Sequence, residues 1–137
     1  MNHRVIYNNS FYGQELKEWA KEYLNHLPPE VDTLATRGSS GCTIASAMLV
    51  LSNRPLYHKQ FRKENEKAHA SYSVGHYGYG KIVIVDDFMD TGETINKIIE
   101  NLAHDNHKAT CIIVSHQFNP LSRTEFNGIP LICLVKI

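Results

Sequence analysis

Residues 14 to 27 place Leu16, Trp19, Ala20, Tyr23, Leu24 and Leu27 at helical spacing, with Lys17, Glu18, Lys21 and Glu22 on the opposite side. That pattern predicts an amphipathic helix, stopped by Pro28-Pro29. Val31 to Thr36 then reads as a short buried strand running into the turn Arg37-Gly38-Ser39-Ser40-Gly41. Cys42 to Ser52 is apolar on nearly every face and predicts a second helix packed deep against a sheet, ended by Asn53-Arg54-Pro55. A further strand is expected around Leu56 to Phe61. From Arg62 to Gly80 the chain is rich in charge, His, Ser, Tyr and Gly with little periodicity, and reads as a mobile loop.

Ile82-Val83-Ile84-Val85 is a continuous β-branched run of the kind buried on both faces of a parallel sheet, and it leads straight into Asp86-Asp87. Ile95, Ile98, Ile99, Leu102 and Ala103 again have helical spacing, before a polar cluster from His104 to Lys108. Ala109 to Ser115 and Ile129 to Val135 read as two more strands, the latter as an edge because Pro130 lies near its start. Strands alternating with helices imply right-handed crossovers and a parallel α/β sheet, in which ligands sit beyond the carboxyl ends of the strands.

With 137 residues, 42% hydrophobic and 20% charged, residues 1 to 137 are expected to form one domain with an adequate core. Fourteen basic residues balance fourteen acidic ones. A net charge of zero argues against a nucleic-acid or acidic-membrane partner and makes any anion site local. Cys42 to Leu51, the longest nearly apolar stretch, is about half the roughly 18 residues of a membrane span, and Met1-Asn-His-Arg carries no apolar signal core. Three distant cysteines, two of them in apolar runs, read as reduced thiols, so a cytoplasmic location is expected.

Two strand ends carry the candidate chemistry. Thr36-Arg37-Gly38-Ser39-Ser40-Gly41 joins a strand to a helix and offers glycines for close approach, hydroxyls, unpaired helix-start amides and one cation. Asp90-Thr91-Gly92-Glu93-Thr94 opens another helix near Thr91, where hydroxyls and amides could wrap a phosphate. Asp86 and Asp87 just before it are two acceptors suited to the two hydroxyls of a ribose. The ligand so inferred is a sugar with a phosphate group at each side. The plainer readings are helix caps for both turns, Asp90 included, and a receiver-type acidic pocket for the Asp pair, although a receiver carries that pair after its first strand. No GxxxxGK[ST] loop is present. His104 and His107, spaced to share a helical face, read as solvated histidines, and no protein-held metal is expected.

The segment Ile82-Val83-Ile84-Val85-Asp86-Asp87-Phe88-Met89-Asp90-Thr91-Gly92-Glu93-Thr94 resembles the phosphoribosyl-pyrophosphate signature of type I phosphoribosyltransferases, with Phe88 bulkier than the usual aliphatic residue. Thr36-Arg37-Gly38 looks like the family's pyrophosphate loop. Residues 62 to 69, RKENEKAH, are similar to the catalytic loop of orotate phosphoribosyltransferases, with one extra residue. The resemblance implies a single-domain, Rossmann-like phosphoribosyltransferase core with a reduced hood, the hood coming from residues 1 to 13 and 116 to 128.

It further implies that Asp86 and Asp87 hold the ribose hydroxyls and that Thr91, Gly92, Glu93 (through its amide) and Thr94 bind the 5′-phosphate. Arg37, Gly38 and Ser39 would bind pyrophosphate. Arg62, Lys63, Lys67 and His69 would reach it from the loop, partly across a homodimer interface, with Lys67 the leading loop catalyst. Mg2+ would be bound mainly through the substrate. Asp90 matches an acid that faces the purine in purine phosphoribosyltransferases, and so favours a purine-like nitrogenous base over orotate. The expected activity is transfer of the phosphoribosyl group to that base with release of pyrophosphate. Two other readings stand beside it: a non-catalytic phosphoribosyl-pyrophosphate-binding regulator, favoured by the reduced hood, and an α/β scaffold without this ligand.

Overall fold

A computed structural model describes residues 13–63, 73–118 and 123–135 of the chain. Lys67, His69 and most of the expected hood lie outside the described residues.

Helix α1 (Gly13–Asn25) buries Trp19, Ala20 and Tyr23, and His26 and Leu27 close its last turn through bonds to Tyr23 and Leu24. Then follow β1 (Val31–Arg37), α2 (Ser39–Leu51), β2 (Tyr57–Phe61), β3 (Ser73–Gly75), β4 (Lys81–Val85), β5 (Phe88–Met89) and α3 (Glu93–His104). The chain continues through β6 (Ala109–Val114), β7 (His116–Gln117), β8 (Glu125–Phe126) and β9 (Ile129–Cys133). Seven strands form one sheet in the order β3-β2-β1-β4-β6-β9-β8. The five inner strands run parallel; β3 and β8 return antiparallel at the two edges. The expected mixed α/β fold with a mostly parallel sheet is therefore present.

Strand β4 shows why. Ile82 is 3% exposed and Val83, Ile84 and Val85 are 0% exposed. Val83 and Val85 face a core made with Trp19, Tyr23, Leu34, Ile44 and Met48. Ile82 and Ile84 face the opposite core with Phe61, Ile95, Ile98 and Leu102. Full burial of such a side chain contributes roughly 1.5–3 kcal/mol, so this strand anchors both layers.

Several expectations change. Helix α2 starts at Ser39 rather than Cys42, because Gly38 takes φ 88°, ψ 174° and acts as its N-cap. It buries one stripe, Gly41, Ile44, Ala45 and Met48, and leaves Val50 83% exposed; the apolar run is not enclosed on every face. Within the expected loop from Arg62 to Gly80, residues 73–75 pair with β2, and Asp32 accepts the amides of Tyr79 and Gly80 at 2.9 Å each. Strand β9 is not an edge. Its pairing with β6 begins at Leu131, so Pro130 withholds no donor there and instead faces Glu125 of β8. His104 ends α3, whereas His107 lies beyond it and packs on the Tyr77 ring at 3.9 Å, so the two do not share a helical face.

Chain order reverses direction about β1, which has β2 on one side and β4 on the other. The carboxyl ends of β1 and β4, where such sheets open a crevice, carry Arg37-Gly38 and Asp86-Asp87.

Candidate active site

The two turns meet over one glycine. A Cβ on Gly41, in the first turn of α2, would lie 2.9 Å from the Val85 carbonyl oxygen and 3.5 Å from Asp86 Oδ1. Only a residue without a side chain lets the helix cross the end of β4 this closely. The amides at the start of α2 are not used by the helix itself, and Lys63 lies beside them, its Cε 3.0 Å from where a Gly38 Cβ would be. Underneath, buried Thr36 bonds His58 Nε2 at 2.8 Å. Burial lowers the His58 pKa and keeps that imidazole neutral at physiological pH.

The acidic turn is held by main-chain bonds on every side. Asp86 Oδ1 accepts the Asp87 amide at 3.0 Å, and Asp87 Oδ1 accepts the Phe88 amide at 2.7 Å. The Asp87 carbonyl accepts the Ser115 hydroxyl at 2.6 Å and the amides of Ser115 and His116. From α1, the buried Tyr23 hydroxyl donates to the Asp86 carbonyl at 2.5 Å. Burial pushes the Asp86 carboxyl well above the usual carboxylate range; the neighbouring Asp87 charge adds to this and Lys63 opposes it. The Tyr23 phenol is likewise raised by burial and then by the two acids.

The third part is the turn before α3. The helix begins at Glu93, two residues later than expected, and its N-cap is Gly92 in the left-handed region at φ 89°, ψ 12°. Asp90 therefore stands three residues before the helix and not at the cap position. A cavity of about 270 Å³ opens here, bounded by Asp86, Phe88, Asp90, the 91–94 turn and Phe118. Two short strands, β5 and β7, form a parallel ribbon beneath it, extending β4 and β6. The Phe88 ring lies 5.3 Å from the His116 ring and 5.8 Å from that of Phe118.

Most of the expected residues thus converge on one face. Arg37, Gly38 and Ser39 belong to the first turn, Lys63 reaches both Gly38 and the field of Asp86, and Asp86 to Thr94 line the second half. Arg62 follows the end of β2, with its Nε buried and without a hydrogen-bond partner among the described residues. Sequence patterning missed Tyr23, which reads as an ordinary core position, and His58, Gln117 and Arg123, whose partners are set by tertiary register. Among the described residues no three His, Cys, Asp or Glu side chains cluster to hold a metal, and no helix is long and apolar enough to cross a membrane.

The crevice of this parallel α/β sheet thus brings together an acidic pair and two helix-start turns. The chain belongs to the phosphoribosyl transferase domain family, whose sequence profile matches residues 5–130. The fold is shared with solved type I phosphoribosyltransferases. Leishmania donovani UMP synthase superposes with a TM-score of 0.67 at 22% identity over 96% of this chain. Adenine phosphoribosyltransferase from Thermoanaerobacter pseudethanolicus gives 0.68 at 17% over 90%. Mycobacterium tuberculosis orotate phosphoribosyltransferase, solved in complex with 5-phospho-α-D-ribosyl 1-diphosphate, gives 0.65 at 12% over 88%. The chain spans 28% of the Leishmania protein, 81% of the adenine enzyme and 70% of the orotate enzyme. A search of curated proteins by sequence found no match.

Proposed function

We propose that residues 1 to 137 form a single-domain phosphoribosyltransferase that transfers the 5-phosphoribosyl group of phosphoribosyl pyrophosphate to a purine-like nitrogenous base, releasing pyrophosphate. The observation that carries this is the Asp86-Asp87 pair at the end of β4, directly beside an open cavity walled by the amide-rich turn before α3. In this reading Asp86 and Asp87 accept the ribose hydroxyls, and Thr91, Gly92, Glu93 and Thr94 receive the 5′-phosphate. Arg37, Gly38, Ser39, Lys63 and Arg62 take the diphosphate, whose bond to the anomeric carbon breaks as the base nitrogen attacks. Lys67 and His69 complete the cationic wall, in part across a homodimer.

Asp86 and Asp87, as carboxylate oxygens, would suit an Mg2+ that takes most of its other oxygens from a diphosphate and water, and it would neutralise charge on the departing group. The three cysteines are unpaired, and burial raises the Cys111 thiol to about 11, which leaves it a protonated, unreactive core thiol; we place the chain in the reducing cytoplasm.

Incubation with magnesium, phosphoribosyl pyrophosphate and a panel of purines and pyrimidines should yield pyrophosphate and one nucleotide by mass spectrometry. Ligand binding without turnover of any base would instead make the chain a regulator. Asp90 supports the purine preference because its exposed carboxylate borders the cavity, away from the helix cap. It can accept a ring N–H or its proton, and it would repel the carboxylate of orotate. Asp90→Asn should therefore lower purine transfer; full activity in that variant, or efficient use of orotate by the parent, would defeat the assignment. Lys67→Ala should reduce kcat more than ground-state affinity for phosphoribosyl pyrophosphate. Equal losses in both would make Lys67 a binding residue.

A further inference from the structure

The cavity that should take the 5′-phosphate has an electrostatic difficulty. Three carboxyl residues, Asp86, Asp90 and Glu93, line it together with apolar and hydroxyl side chains, and among the described residues that line it none is Lys or Arg. A helix start with roughly half a positive charge offsets part of that field. Among the described residues, Arg123 is a basic side chain bonded to this turn. Arg123 Nη2 donates to the Asp90 carbonyl at 2.5 Å and to the Phe118 carbonyl at 2.7 Å. Its Nε points to Gln117 Oε1 at 3.4 Å, and Gln117 Nε2 returns a bond to the Arg123 carbonyl at 2.9 Å. Gln117 itself is buried at 5% exposure, so the fork is fixed at its base. The guanidinium carbon sits 6.0 Å from the Phe126 ring centroid, and that same ring packs where any side chain on Gly92 would have to go.

We propose that Arg123 is the positioning residue of the 5′-phosphate turn: it pins the Asp90 carbonyl and the Phe118 carbonyl to one planar cation, holding the turn's amides outward and setting the cavity's far wall. This rests on the phosphoribosyltransferase reading of the cavity. A guanidinium suits the task because it stays charged at any physiological pH and donates in fixed directions, so two carbonyls from separate segments are held at a defined spacing. With the Asp90 carbonyl committed to Arg123, that carbonyl's partial negative charge is turned from the ligand.

The test uses two fragments of the substrate that engage different halves of the crevice. Calorimetry with ribose 5-phosphate probes the α3 turn, and calorimetry with magnesium pyrophosphate probes the Arg37-Gly38 turn. In Arg123→Met, ribose 5-phosphate affinity should fall about tenfold, as expected for loss of charge-assisted bonds, while pyrophosphate affinity stays within about twofold. Arg123→Lys, which keeps the charge and one donor, should lose about threefold for ribose 5-phosphate alone; it also carries the test if the Met variant fails to fold. Unchanged affinity for ribose 5-phosphate, or a parallel loss for both fragments, overturns the assignment. Absence of binding of either fragment to the parent protein overturns the underlying reading of the site, and that outcome is read before any variant is made.

Discussion

Asp86→Asn combined with Asp87→Asn should lower kcat/KM for phosphoribosyl pyrophosphate by roughly 10²- to 10³-fold, the loss expected when the two carboxyl groups proposed to accept the sugar hydroxyls become amides. The fold should survive and become more stable. The Asp86 carboxyl is buried at 6% exposure beside a second acid, and its pKa is raised by desolvation first and by Asp87 second. In the unfolded chain it titrates near 3.8. Between that pH and the raised folded value the native state binds the extra proton, so stability falls as pH rises through this window. The penalty is therefore larger at pH 7 than near pH 4. Asparagine removes it and can still accept the Asp87 amide through Oδ1. Thermal unfolding of Asp86→Asn should accordingly show a Tm above the parent's at pH 7 and a smaller difference near pH 4. A lower Tm at both pH values, or undiminished turnover in the double variant, would show that the acids are structural and not held in place for a ligand.

A second large effect is expected at Gly92. Its φ of 89° lies in the left-handed region, where an alanine is strained by about 1–3 kcal/mol. A Cβ there would also overlap the Phe126 ring and approach Met89 Cε to 3.2 Å. Gly92→Ala should lower Tm by several degrees and raise KM for phosphoribosyl pyrophosphate more than about tenfold, because the Phe126 ring, which also packs under Arg123, would have to give way beside the turn. Gly128 supplies the control. It too has positive φ, at 79°, but nothing lies within 4 Å of its Cβ position. Gly128→Ala should therefore show the backbone strain without the kinetic effect. Equal kinetics in the two variants would mean that the Phe126 contact has no bearing on the turn.

Much of this architecture is legible wherever the signal is local. The buried run Ile82 to Val85 announces its strand because it fills both faces of the sheet, and the amphipathic spacing from Leu16 to Leu24 and the stripe Ile95, Ile98, Leu102 announce their helices because one periodicity serves one core face. The acidic pair is legible for a different reason: two charges at the end of an apolar strand have no packing role to explain them. What escapes is everything set by distant partners. Strand β3 is three residues long and exists through its register with β2, and β5 and β7 are two residues each, defined by one another. The outward Val50 follows from α1 packing beside α2 on the same layer, which the run Cys42 to Leu51 does not encode. Arg123 stands in a polar segment with no periodicity, and its partners lie 5, 6 and 33 residues away. The His104-His107 spacing misleads because the helix stops between them.

The crossing at Gly41 also limits how such a protein can change. In the proposed reading, the half of the crevice that would face a leaving diphosphate is built on β1 and α2, and the half that would face the sugar is built on β4 and α3. They touch through bare backbone, Gly41 against the Val85 carbonyl. The span between the halves is thus a ruler cut from main chain, indifferent to rotamers, and no substitution short of moving a helix can lengthen it. Diversification of the acceptor must then occur at the rim, at Phe88, Asp90 and Phe118, where side chains can be exchanged without disturbing the ruler. A library randomised at those three positions, with Gly41 and Gly92 held fixed, is the one in which altered base preference should emerge together with an intact fold.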